Sequence, residues 1–184
     1  MLHSASRPDG IEAAVGYADA GQLLITSDGC EVPFGMEAAL GLAYVFIGQP
    51  ERCIEWCRAQ LPRGRDSHVT TEAVLTVALA LAGYGVEARA AANGLIDAAE
   101  ATHNPWALSR ALLAYGAAFC DTDPAGARDA IRRGLVIAQD SGNHRSESIL
   151  AASVSRLEAE YGDPLAALDY LTLRSAISTT RATP

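Results

Sequence analysis

The segment from Trp106 to Tyr115, WALSRALLAY, gathers an arginine and two aromatics, the residue types that carry most of the binding energy in protein contacts. Trp106, Arg110 and Tyr115 are therefore the first candidates for a site, with Glu37 and Tyr44 earlier in the chain as residues that share their setting. The competing reading, and the simpler one, is that Trp106 and Tyr115 fill packing space between helices. Other groups invite chemistry and are better read as structure. Cys53 and Cys57 stand one helical turn apart, but a metal site needs two further ligands and none lies at metal-site spacing. They read as small core side chains, as do Cys30 and Cys120. His103 has carboxylates nearby at Asp97 and Glu100 but no nucleophile, so it reads as a surface residue at a helix C-terminus. His68 and His144 fall near helix starts and suggest no site. Asp121, Asp123 and Asp129 lack the central glycine and closing glutamate of a calcium loop, and Asp123 reads as a helix cap. Arg128, Arg132 and Arg133 read as a solvated face, with a phosphate or acidic-peptide contact as the alternative.

No set of these groups converges on catalysis, so the chain is expected not to be an enzyme and to need no cofactor and no metal. Its 184 residues are about one domain's length. Apolar residues make up 49% of it, which excludes disorder. A formal net charge of −8 opposes a phosphate backbone, so nucleic acid is an unlikely partner for this segment. Every basic residue is arginine, and the arginines are scattered. The cysteines form no paired framework, so a reducing cytoplasm is expected. The first ten residues have no apolar stretch of the signal-peptide kind. The longest uncharged run, Ala73 to Val86, is shorter than the ~20 residues that span a bilayer, so no membrane partner is expected.

The elements that would position the candidates are helices. A ragged or disordered N-terminus over residues 1–9 precedes a leading helix, Ile11 to Ile25, broken by Ser27-Asp28-Gly29. Four hairpins follow. The first runs from about Pro33 through a Gly48-Gln49-Pro50 turn to Leu61, where Pro62 stops it and PRGRDS reads as a loop. The second opens near Val69 and turns at Gly83-Tyr84-Gly85, with VEARAAANGLIDAAEATH as one helix. Asn104-Pro105 and Asp123-Pro124 are cap-plus-proline starts for the two helices of the third. The fourth spans HRSESILAASVSRLEAEYG, Asp163-Pro164 and LAALDYLTLRSAI, with residues 179–184 frayed.

Turn positions at Gly48, Gly83, Thr122 and Gly162 are separated by 35, 39 and 40 residues. Five residues after each sits a small side chain, Cys53, Ala88, Ala127 or Ala167, and four residues later Cys57, Ala92, Ile131 or Leu171 continues that face. A fixed period with a recurring small column predicts an all-α solenoid, about four antiparallel hairpins plus one leading helix, over residues 10–178.

The first hairpin resembles a tetratricopeptide repeat. Leu40-Gly41-x-x-Tyr44 matches that family's first helix, and Gly48, Cys53 and Cys57 fall at its turn glycine, small residue and aromatic positions. Repeats two to four keep the small column but lose the glycine and tyrosine, with Thr76 and Ser155 standing where Gly41 is. In texture and spacing the region is similar to the helical-repeat segment of large actinobacterial regulators, in which a signalling ATPase precedes the repeats and a LuxR-type DNA-binding domain follows. There is no phosphate-loop motif and no basic helix-turn-helix reader in this chain. The resemblance implies a cytoplasmic interaction segment whose first helices line a groove for a protein or peptide partner. The alternative is a regulatory domain with a small effector in that groove. Pairing of two chains through an uncapped end helix is a further expectation.

Overall fold

The computed structural model describes the backbone of residues 8–26, 36–61 and 68–180, and the side chains of 13, 15–23, 36–61 and 68–172. The expected break at Ser27-Asp28-Gly29, Cys30, the PRGRDS loop and most of the two expected ragged ends lie outside these residues. The elements of the described residues are all α-helices: α1 Pro8–Thr26, α2 Met36–Phe46, α3 Pro50–Gln60, α4 His68–Leu81, α5 Gly85–Ala92, α6 Leu95–Ala101, α7 Pro105–Phe119, α8 Pro124–Asp140, α9 His144–Tyr161 and α10 Pro164–Thr180. Both ends run further than the sequence predicts. Pro8 opens α1, as its fixed φ and missing N–H suit a first helical position, and α10 continues to Thr180. No described helix is long and apolar enough to cross a membrane.

Two compact units divide the chain, Met1–Ala88 and Arg89–Pro184, and the division falls within α5. In the first unit α2 packs on α3, α3 on α4, and α2 also on α4, while α1 covers α2. Leu40, Leu42, Ile54, Trp56, Val74 and Leu79 are buried there. In the second unit α7 lies against α6 and α8, α9 against α8 and α7, and α10 against α9. Its core is Ala127, Ile131, Leu135, Ala138, Leu150, Ala151, Val154 and Leu157. Burying each of the larger aliphatics contributes about 1.5–3 kcal/mol. In the first unit α2 touches its own second helix, α3, and the first helix of the next hairpin, α4; in the second unit α7 does the same with α8 and α9. That sequential packing is a helical-repeat arrangement.

Helix starts follow the local chemistry. Asn104 Oδ1 accepts from Trp106 N–H at 2.9 Å, Asp123 Oδ1 from Gly126 N–H at 3.0 Å, and Asn143 Oδ1 from Ser146 N–H at 3.1 Å. Each satisfies one of the orphan donors of a first turn. The small column is buried at all four positions, Cys53, Ala88, Ala127 and Ala167. The column after it is buried at Cys57, Ala92 and Ile131, but Leu171 is 42% exposed, since α10 packs only on α9 among the described residues.

Two features depart from the sequence reading. The helix expected over VEARAAANGLIDAAEATH is two helices, α5 and α6. Gly94 between them has φ +74°, a left-handed value that no helix interior accommodates and that glycine adopts without strain. The third repeat also keeps a glycine in its first helix. A Cβ on Gly41 would meet Cys57 Sγ at 3.1 Å and Cys53 Sγ at 3.4 Å, and one on Gly116 would run into Ile131 and meet the Ala127 carbonyl oxygen at 3.2 Å. Gly116 thus does for α7 and α8 what Gly41 does for α2 and α3. In the fourth repeat Ser155 takes this place, and its Oγ donates to the Ala167 carbonyl at 2.8 Å.

Candidate functional site

Trp106 and Arg110 occupy the first two turns of α7 and differ by one turn, so they share a face. The Arg110 guanidinium lies over the Trp106 ring, 4.5 Å from its centre. That cation–π contact contributes about 0.5–2 kcal/mol, more where water is excluded. Arg110 is only 8% exposed. Its Nε is fully buried and donates to nothing among the described residues, and no carboxylate among them lies within ion-pairing distance of it. Burial holds its basicity down, to about 10, and the neighbouring positive charge of Arg145 adds to the fall. Arg145 sits in the first turn of α9, which packs on α7.

Tyr115 is not part of this pair. It follows Arg110 by five residues, about 140° around the helix, and stacks instead on Phe119 with ring centres 4.5 Å apart and planes at 26°. The two rings line a shallow cleft of about 200 Å³ with Ala92, Asn93, Gly94, Ile96 and Asp97. The Asn93-Gly94 break therefore forms one wall. Ligand pockets run about 300–1,000 Å³, so this cleft suits a single side chain rather than a cofactor.

Glu37 and Tyr44 lie in the other unit and are buried, 5% and 1% exposed, rather than displayed in a groove. The Glu37 carbonyl accepts from Trp56 Nε1 at 2.8 Å, which ties α2 to α3. Tyr44 Oη donates to Gln22 Oε1 at 2.8 Å, and Arg52 lies 4.6 Å from its ring centre while pairing with Asp19. These contacts join α1, α2 and α3. Burial pushes the Tyr44 phenol above its usual value; the Arg52 charge opposes that rise and Asp19 reinforces it.

The arginines of α8 have carboxylate partners: Arg133 keeps the solvated position expected of it, whereas Arg128 turns inward. Arg128 Nη1 lies 3.5 Å from Glu158 Oε2, and Arg132 pairs with Glu158 Oε1. Glu158, 1% exposed on α9, also accepts from Asp163 N–H at 3.1 Å. Arg133 points elsewhere and pairs with Glu100. The signal for this was a glutamate one residue after Leu157, inside the apolar stripe of α9: a buried carboxylate needs cationic partners. The three aspartates also separate. Asp123 caps α8, Asp129 pairs with Arg132 at 3.7 Å, and Asp121 accepts from Tyr161 Oη at 3.2 Å. Cys53 and Cys57 are free thiols in the core with sulfurs 3.9 Å apart. His103, just beyond α6, has φ +52°. Among the described residues no group of three His, Cys, Asp or Glu is placed to hold a metal ion.

No protein-family model matches the chain, and no curated protein matches it either.

Proposed function

We propose that this chain is a helical-repeat interaction module, of tetratricopeptide-like descent, that serves a bacterial signalling or transcriptional regulator by holding a protein or peptide partner. No bond is made or broken. The observation that supports this reading is the Trp106–Arg110 pair, an aromatic and an arginine stacked at the start of a well-capped helix. Such pairs are where binding energy concentrates, and here the pair is held in place before any partner arrives. The test uses the purified chain as bait in lysate of its host, beside Trp106→Ala. Truncating a hot spot costs about 2 kcal/mol or more, so the variant is expected to lose the partner's affinity about thirtyfold. Identical captured proteins for both baits would remove the assignment.

A second reading, a regulatory domain that takes a small effector, is supported by a separate observation: the buried Arg110 charge has no carboxylate partner among the described residues.

A further inference from the structure

We propose that Arg110, Trp106 and Arg145 form a binding site for a small oxyanion, a ligand bearing a terminal carboxylate or phosphoryl group. The proposal rests on the effector-binding reading and names the chemistry that the effector would carry.

Buried guanidinium groups in folded proteins are paired, because an isolated charge in a low-dielectric surrounding is costly. Four other arginines of the same unit, all less buried than Arg110, do have carboxylate partners. Arg128 and Arg132 share Glu158, Arg133 takes Glu100, and Arg156 takes Glu160 at 3.2 Å. Arg110 is more buried than any of these and breaks the rule. No carboxylate among the described residues pairs with it, and the charge of Arg145, on the helix α9 that packs on α7, acts on it as well. The acidic residue nearest Arg145 in α9, Glu147, already accepts from Gln139 Nε2 at 3.3 Å and faces His144 Nδ1 at 3.1 Å. A buried guanidinium stacked on an indole ring, with no carboxylate partner among the described residues and a further positive charge acting on it, makes a site that a counter-anion would complete.

The geometry is prepared for such a ligand. The Trp106 ring covers one face of the Arg110 guanidinium, and the Asn104 cap fixes the Trp106 backbone. Nε is enclosed, so the Nη end is the part left for a ligand, in the fork that matches two oxygens of a carboxylate or phosphate. Arg145 approaches from the N-terminal turn of an 18-residue helix, whose dipole adds positive potential. The chain as a whole carries −8. A polyanion would meet that charge over its length, whereas a small oxyanion within a Debye length of about 8 Å feels chiefly the two arginines.

The experiment is thermal unfolding of the whole chain titrated with inorganic phosphate and, separately, with succinate, each against chloride at equal ionic strength. A saturable rise in Tm with one or both probes is expected, and the stronger probe tells phosphoryl from carboxylate chemistry. Arg145→Ala, an exposed change, is expected to weaken the apparent affinity about tenfold or more. Arg110→Met, which removes both the fork and its charge, is expected to abolish the response to both probes. Should the methionine variant fail to fold, Arg110→Lys keeps the charge without the fork and is expected to show the same weakening. A flat response to both probes, or one that survives the changes at Arg110 and Arg145, overturns the site. Stabilisation by an uncharged metabolite alone would overturn it too, while sparing the effector reading.

Discussion

Tyr44 shows how one side chain can look like a binding residue and serve as a tie. Its ring lies under Arg52, its hydroxyl donates to Gln22, and it is almost wholly enclosed. Because its phenol titrates higher in the folded state than in the unfolded one, its contribution to stability is fully present below about pH 10 and is lost as pH rises through the higher folded value. Tyr44→Phe is expected to cost about 1 kcal/mol in urea unfolding at pH 8, the net worth of the hydrogen bond. The gap between the two proteins is expected to narrow at pH 11; a constant gap would mean that the hydroxyl's environment does not favour the protonated form. Sequence reading found Tyr44 by its type but not its role, because the α1 groups that meet it and Arg52, Gln22 and Asp19, lie 22 and 33 residues from those partners. The same holds for Arg110. Its type and helix were legible, whereas its burial and the approach of Arg145 depend on α9 packing against α7.

At the scale of the element, hairpin packing turns on what stands opposite the small column. Gly41, Gly116 and Ser155 fill that place in three repeats. Gly116→Ala gains about 1 kcal/mol of helix propensity but drives a methyl into Ile131, an overpacking that costs about 1–3 kcal/mol. The net expectation is a loss of about 1 kcal/mol in denaturant unfolding. In an Ile131→Ala background, which removes both side-chain carbons that the new methyl would strike, the same change should be neutral or stabilising, and additive effects in the two backgrounds would refute the contact. The hairpins, the cap residues and the proline starts were readable from the sequence, since each is written in a few adjacent residues. Gly116 was not, because the third turn was set at Thr122, six residues on, whereas Gly41 precedes Gly48 by seven. Nor was the break at Gly94, where alanines on either side promise one continuous helix and a single left-handed residue ends it.

At the scale of the whole molecule, the division at Ala88 predicts that damage within one unit stays in it. Leu40 is buried in the first unit and Leu150 in the second. Cutting either to alanine costs about 2–5 kcal/mol. Cys53 and Cys57 sit in the first unit at zero exposure, and their mutual hydrogen bond, with burial, pushes the Cys57 thiol up, away from the thiolate that reacts. An alkylating reagent therefore reaches them only when that unit opens. Peptide-resolved alkylation at Cys53 and Cys57 is expected to quicken about thirtyfold or more in Leu40→Ala, since 1.4 kcal/mol is a factor of ten, and to keep its rate in Leu150→Ala. Equal acceleration by both changes would mean that the units open as one. The paired sulfurs thus amount to a built-in clock: their alkylation counts the openings of one half of the chain, with no label added and no residue replaced.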